Sequence, residues 1–397
     1  MEVFVVFFRI IFLTLFTFSI FAKTNQKKFD SNKKTICLNM IVKNEAKAIE
    51  RCLASVKDKI DYWVIVDTGS TDQTQAIIKK FMKDIPGELH QSDWVNFEYN
   101  RNEALKYAKA KADYVLFIDA DEQWVFEKDF HMPTLDKDCY IIEVKEATGF
   151  SYKRVGMINN RLNWAWKGVL HEDVLCKEAK TIELLKGVYN YSITQDGGRC
   201  QDPNKYLKDA KILEEALLKE PDNSRYQFYL GQSYANANHK EKAIEAYLKR
   251  ASMGGCSQET FWSLYSATRL SQDLNKSDEE LIKGYWQAYQ VRPVRVEPLY
   301  HLIALYLKQK NYPLAYMIAK HAITIPIPDD FMFVDRNIHE WGIVLMFADA
   351  ACLFGRYHEG LQAGKKCLEN PSVSLEVKKI IEKNIMILEE KLNQKAS

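Results

Sequence analysis

The chain has 397 residues, 47% apolar and 27% charged, the profile of a globular protein long enough for two or three domains with their own cores. Lys and Arg number 55 against 53 Asp and Glu, a formal net charge of +2, so there is no global basic field to support nucleic-acid or polyanion binding. The eight cysteines (Cys37, Cys52, Cys139, Cys176, Cys200, Cys256, Cys352 and Cys367) form no C-x-x-C pair and no Cys/His spacing suited to zinc. They read as buried free thiols, and hence as a sign of a reducing compartment, rather than as a disulfide framework.

Residues 1–22, MEVFVVFFRIIFLTLFTFSIFA, are apolar apart from Glu2, Arg9 and a few hydroxyls. Such a run is long enough to cross a bilayer as a helix and also resembles a signal peptide ending near Ala22. Lys23, Lys27, Lys28, Lys33 and Lys34 follow it, and if they stay inside, the remainder is cytoplasmic behind an N-terminal anchor. The alternative is secretion or lumenal delivery after cleavage. Residues 23–34 are a polar linker.

From residue 35 to 202 strands and helices alternate. "TICLNMIVKNE" and "DYWVIVDTGSTD" read as strands on either side of a helix over 46–57; "TQAIIKKFMKDI" and "NRNEALKYAKAKA" read as helices, and "DYVLFIDADE" as the next strand. This order predicts an open α/β sheet of parallel strands, which binds ligands at the carboxyl ends of its strands. Residues 203–397 read as helix after helix. Leu230, Gly231, Tyr234, Ala243 and Tyr247 have tetratricopeptide spacing, with weaker echoes at Leu302, Tyr306, Ala315, Ala319 and Ala322, and at Ala348, Ala351, Gly360, Gly364 and Cys367. The separations exceed one repeat length, so the predicted solenoid is degenerate or interrupted.

The chemistry sits in short motifs. "LFIDADEQW" drives an apolar run into Asp119, Asp121 and Glu122, and such acids belong where a strand emerges and meets a positive partner, a metal ion being the first candidate. "VIVDTGSTDQT" puts Asp67 at a strand end, Gly69 and Ser70 in a turn that lets backbone approach a ligand, and Asp72 ahead of a helix. Taken alone, that pattern is also what a capped strand-to-helix connection looks like.

Together "NMIVKNE", "VIVDTGSTDQT", "NRNEAL", "FIDADE" and "WAWKGVLHEDV" resemble the family-2 glycosyltransferases, in particular the branch with a MIVKNE strand and a W-x-G-x-x-HE segment, over about residues 35–200. The resemblance implies an α/β GT-A domain, the Rossmann-like nucleotide-diphospho-sugar transferase fold, followed by an all-α TPR-like domain. It implies that Asn44 and Glu45 close the first strand, that Asp67 and Asp72 bind the base and ribose of a nucleotide-sugar, and that Arg101 and Asn102 lie near nucleotide or sugar. Asp119 and Asp121 match the DxD motif, which holds Mn²⁺ or Mg²⁺ against the diphosphate. Such hard cations take carboxylate oxygens and stabilise the charge that develops on the leaving diphosphate.

For transfer with inversion a base must take the acceptor proton. Glu172 and Asp173 are the candidates, with Glu172 favoured. His171 is a candidate for the metal or acceptor site, against a structural histidine. Trp164 and Trp166 offer a sugar platform or core packing. Arg154 and Arg161 offer cations to the diphosphate or an anionic acceptor, or are surface residues. Gly197, Gly198 and Arg199 read as a hinge.

The expected activity is metal-dependent, inverting transfer from a nucleotide-sugar, a UDP-sugar by family tendency, to a hydroxyl of a glycan, lipid-linked saccharide or protein. A role in cell-envelope glycan synthesis, a protein partner on the repeats and membrane association through residues 3–22 are further expectations. A catalytically silent scaffold is the rival reading, and a sugar-nucleotide pyrophosphorylase is disfavoured because "MIVKNEAKAIERC" has no glycine-rich loop.

Overall fold

The computed structural model describes residues 33–193 and 196–396. The anchor or signal segment lies outside these residues, as does most of the linker. Among the described residues no helix is long and apolar enough to cross a membrane. Residues 34–397 form one compact unit.

The first half is built on a sheet of nine strands among the described residues. Its parallel part comprises β1 (Ile36–Val42), β2 (Tyr62–Asp67), β3 (Gly87–Gln91) and β4 (Tyr114–Phe117), with helices α1 (Ile49–Val56), α2 (Thr74–Phe81) and α3 (Phe97–Ala108) between them. In β1 the alternate residues Ile36, Leu38, Met40 and Val42 enter the core on one face, while Cys37 enters the core on the other. Burial of both faces is why the strand reads as a continuous apolar run. The parallel register pairs Val42 with Asp67 and Asp67 with Gln91, so that these strands end in one row.

Beyond β4 the sheet departs from the parallel arrangement that the sequence predicts. β5 (Glu122–Phe126), β6 (Cys139–Glu146), β7 (Phe150–Asn159) and β10 (Ile182–Ser192) complete the order β3-β2-β1-β4-β7-β6-β10-β5, in which β7 is antiparallel to both β4 and β6. The reason is local. Only a tight turn, with Gly149 at φ +92°, joins β6 to β7, and so short a link permits only a hairpin. A separate ribbon pairs β8 (Ala165–Lys167) with β9 (Asp173–Leu175).

The second half runs through α4 (Lys205–Lys219), α5 (Ser224–Asn236), α6 (Lys240–Ser252), α7 (Ser257–Asp273), α8 (Asp278–Val291), α9 (Glu297–Lys308) and α10 (Tyr312–Ala322), then a two-residue strand β11 (Val334–Asp335), then α11 (Ile343–Leu353), α12 (Tyr357–Glu369) and α13 (Leu375–Ala396). The predicted repeat units correspond to the pairs α5/α6, α9/α10 and α11/α12. The pair α7/α8 lies between the first two and lengthens their separation, and here too a small residue allows close contact: a Cβ on Gly284 would stand 2.4 Å from Thr268 Oγ1. The interruption before α11 contains β11, which joins the nine-stranded sheet against β7, Val334 opposite Ser151. Leu170 of the first half belongs to the same apolar core as the helices, and Phe97, Phe150 and Val169 pack against it.

Candidate active site

Asp67 ends β2 almost fully buried, at 1% exposure. Its Oδ1 accepts from the Gly69 and Ser70 amides at 3.0 and 2.8 Å, with Gly69 at φ +100°, while its Oδ2 is buried without a protein partner. A buried carboxylate oxygen left in that state is costly unless a donor arrives. The neighbouring residues shape the turn. Asn44, at φ +56°, donates its amide to Ser70 Oγ and accepts from the Thr71 amide at 2.8 Å. Asp72 accepts from Thr74 with Oδ1 and from the Ala46 amide with Oδ2. Burial alone would raise the Asp72 carboxyl, but these bonds outweigh it and lower it. Both oxygens expected to meet a ribose are thus engaged by the chain itself.

Asp119, Asp121 and Glu122 fall within four consecutive positions, yet the three acids have different surroundings. Asp119 accepts from Arg101 at 2.8 Å and from Arg154 at 3.2 Å. Burial would raise its carboxyl, but the two guanidinium groups hold it well below the usual carboxylate range. Glu122 is buried, ion-paired with Arg154, and accepts the Asp119 amide at 3.0 Å. Asp121 has no such cation bonded to it. Its carboxyl is raised by burial and then by the charges of Asp119 and Asp196, opposed by a bond from its own backbone amide and by Lys205.

Two further elements close on Asp121. Arg51 of α1 pairs with Asp196 at 2.6 Å and reaches the Asp121 carbonyl at 3.4 Å. Glu45 accepts the Gly198 amide at 3.0 Å; burial, with added repulsion from Asp121, Asp119 and Asp196, pushes it up to about 7. A Cβ on Gly197 would lie 2.5 Å from Asp121 Oδ2, and one on Gly198 would lie 2.6 Å from the Asn44 carbonyl. The segment read as a hinge is therefore a tight strap that only glycine fits.

The other wall is the turn after β8. Glu172 accepts from Arg101 Nε at 3.1 Å and its side chain is 6% exposed. Burial raises its carboxyl, with Arg101 opposing. Asp173, raised by burial, is bonded instead to Arg225 of α5 at 2.9 Å. His171, at φ +53°, stacks on Tyr229 with ring centroids 3.9 Å apart. Desolvation, followed by Arg225, Arg199 and Lys205, pushes its imidazole down to about 3, so it is neutral.

The fit of a divalent cation can be judged from these groups. Among the described residues no three His, Cys, Asp or Glu side chains form a metal-holding cluster. His171 does not join the DxD acids in one, and Asp119 is already paired with two arginines. Asp121 remains, a carboxylate among other negative charges. That suits an ion such as Mg²⁺, which is commonly held by one or two carboxylates together with waters and substrate phosphates.

Several expectations are corrected. Asn102 donates to the Trp166 carbonyl at 2.9 Å and accepts its amide at 2.8 Å, so its side chain fixes β8. Trp166 is buried between Phe117 and the Arg101 guanidinium, and Trp164 donates to the Asn159 carbonyl, so both serve packing and not a sugar platform. Arg161 pairs with Asp113, at the amino end of β4 and thus away from the acids at its carboxyl end. Arg154, by contrast, is not a surface residue but a direct partner of Asp119 and Glu122. Sequence reasoning missed Arg51, Asp196, Arg225 and Tyr229, none of which stands in a recognisable motif.

At the carboxyl ends of the parallel strands the site thus joins an unpartnered buried aspartate oxygen, an acidic turn between arginines and a glutamate across from it. Residues 37–132 match the family described as Glycosyl transferase family 2, a match to this segment of the chain. It is 29% identical over 236 residues to the SPbeta prophage-derived glycosyltransferase SunS of Bacillus subtilis, covering 56% of this chain and 54% of that one. It is 42% identical over 93 residues to a TPR repeat-containing protein of Synechococcus elongatus, 23% of this chain and 22% of that one. The chain thus spans about half or less of the length of these curated relatives. A crystal structure of S. aureus TarS residues 1–349 with UDP-GlcNAc overlaps 60% of this chain and 88% of that one, at 17% identity and a TM-score of 0.35.

Proposed function

We propose that the protein transfers a sugar, with inversion, from a nucleotide-sugar to an acceptor hydroxyl, with Glu172 as the base. The observation that carries this reading is Arg101, whose guanidinium bonds Asp119 of the acidic turn and Glu172 of the HED segment at once. It brings the two motifs into one site. The acceptor hydroxyl gives its proton to the Glu172 carboxylate while its oxygen forms the new bond at the anomeric carbon. The bond from that carbon to the diphosphate breaks on the opposite face.

Asp67 Oδ2 suits the imide N–H of uracil or thymine, which supports a UDP- or dTDP-sugar as donor, UDP being the family tendency. Asp121 would hold a divalent cation, whose contribution when bound is Lewis-acid stabilisation of the departing diphosphate. Arg101 and Arg154 keep Asp119 ionised and fixed, and Glu172 has the raised affinity for a proton that a base requires. The acceptor belongs to a glycan, a lipid-linked saccharide or a protein, and the repeats supply the surface for a peptide or protein partner. Residues 1–22 attach the protein to a membrane with its catalytic half cytoplasmic.

The test is turnover of UDP-, GDP- and dTDP-sugars by the full chain with Mn²⁺, Mg²⁺ or EDTA. One donor is expected to be hydrolysed slowly in a metal-dependent way that both Asp121→Ala and Glu172→Gln suppress. Metal-independent turnover, or a Glu172→Gln variant as active as the parent, would overturn the mechanism.

A further inference from the structure

Glu172 is aimed from two directions, and only one of them belongs to the transferase half. Arg101 holds its carboxylate. Its backbone lies between His171 and Asp173, and both of these are held by a single arginine of the helical half. Arg225 donates through Nη2 and Nε to the His171 carbonyl at 2.8 and 3.3 Å, and through Nη2 to Asp173 Oδ1 at 2.9 Å. One turn along the same face of α5, Tyr229 stacks on the His171 ring and lies 5.1 Å beneath the Arg225 guanidinium. Asn223 caps α5 by accepting the Tyr226 amide at 3.1 Å, which fixes the first turn that carries Arg225.

The turn needs such support. His171 is held in the left-handed region at φ +53°, where a residue with a Cβ pays about 1–2 kcal/mol and persists only if its surroundings impose it. A bidentate bond on its carbonyl and a stacked ring on its side chain impose it here. The two halves do not depend on this contact to dock. Leu170 enters the helical core, Phe97 packs against it, and β11 pairs with β7. The contacts made by Arg225 and Tyr229 are therefore available for another purpose.

We propose that Arg225 and Tyr229, on the first full repeat helix, are positioning residues for the transfer reaction: they hold the His171–Asp173 turn so that Glu172 meets the acceptor hydroxyl. The helical half thus completes the active site in addition to offering a surface for partners. This rests on the assignment of Glu172 as base.

The experiment compares full-length Arg225→Met, Tyr229→Leu and Tyr229→Phe with the parent chain. Donor hydrolysis with Mn²⁺ and each UDP-, GDP- or dTDP-sugar gives kcat, calorimetry gives donor affinity, and hydrogen exchange follows the amides of residues 168–175. Arg225→Met and Tyr229→Leu are expected to lower kcat by about ten- to a hundredfold, the scale of a misplaced catalytic group, with donor affinity unchanged. Exchange should quicken in 168–175 and not in β1 or β2. Tyr229→Phe keeps the stacked ring and should behave as the parent. Folded Arg225→Met and Tyr229→Leu variants with parental kcat and parental exchange in 168–175 would overturn the proposal. If Glu172→Gln keeps parental turnover, the assignment of the base is what fails, and the exchange result still decides whether Arg225 holds the turn.

Discussion

Arg101 donates to Asp119, 18 residues further on, and to Glu172, 71 residues further on. Its type and place in "NRNEAL" suggest a ligand of the nucleotide, but only the folded chain shows that it organises carboxylates. The same holds for Asp72, whose motif is legible while its two engaged oxygens are not. Asp67 differs, since both its strand-end position and its role as a polar anchor follow from the apolar run before it and the Gly69 turn after it. Glu172→Gln is expected to cut kcat by roughly 10²- to 10⁴-fold, the usual worth of a general base, with donor affinity retained. Because Glu172 acts when ionised and Arg101 opposes its upward shift, Arg101→Met should move the acid limb of the kcat profile to higher pH. A limb that does not move would remove Arg101 from the electrostatics of the base. Glu45 allows a stability test with a definite sign. Its folded pKa, about 7, lies above the ordinary value of 4.5, so its contribution is complete below about 4.5 and lost as pH rises through 7. Glu45→Gln should therefore gain in thermal midpoint relative to the parent between about pH 5 and pH 8.

At the scale of elements, the parallel strands β1, β2 and β4 are readable because both faces of each are buried and helices separate them, whereas β3, only partly buried, carries no such run. The hairpin of β6 and β7 is not readable, because nothing in an apolar run distinguishes a parallel from an antiparallel partner. The short link at Gly149 carries that information, and its significance appears only once both flanking strands are recognised. The strap at Gly197 and Gly198 reads as a hinge in the sequence, since glycine pairs mark flexible connections as readily as close packing. Its packing makes a prediction: Gly197→Ala should force the Asp121 carboxylate aside and raise the Mn²⁺ concentration needed for half-maximal turnover, with the helical half intact. In the repeats, Gly231→Ala would place a Cβ 2.7 Å from the Tyr247 ring, and overpacking of this kind costs about 1–3 kcal/mol, measurable by urea unfolding.

Across the whole molecule, the helical half both follows the catalytic sheet and extends it. The segment that carries β11 is pinned by a buried network in which Arg295 pairs with Glu297 and Asp330, Arg292 pairs with Asp330, and His339 lies 3.1 Å from Glu297. β7, to which β11 is paired, also carries Arg154, the partner of Asp119 and Glu122. The repeat pattern announced a solenoid, but the residues that tie it to the sheet lie outside the repeat consensus and have no periodicity by which to be found. Glu297→Gln leaves Arg295 short of a buried counter-charge and should cost about 3–5 kcal/mol, the range for breaking a buried ion pair. The central claim is that the row from Asp67 to Asp121 receives a nucleotide diphosphate with its cation, and the most direct measurement is titration calorimetry of UDP into the full chain. UDP should bind with Mn²⁺ and not with EDTA, and Asp67→Asn and Asp121→Asn should each weaken it at least about tenfold, a loss of about 1.4 kcal/mol. Equal binding by the parent and both variants, or binding indifferent to the metal, would contradict the account.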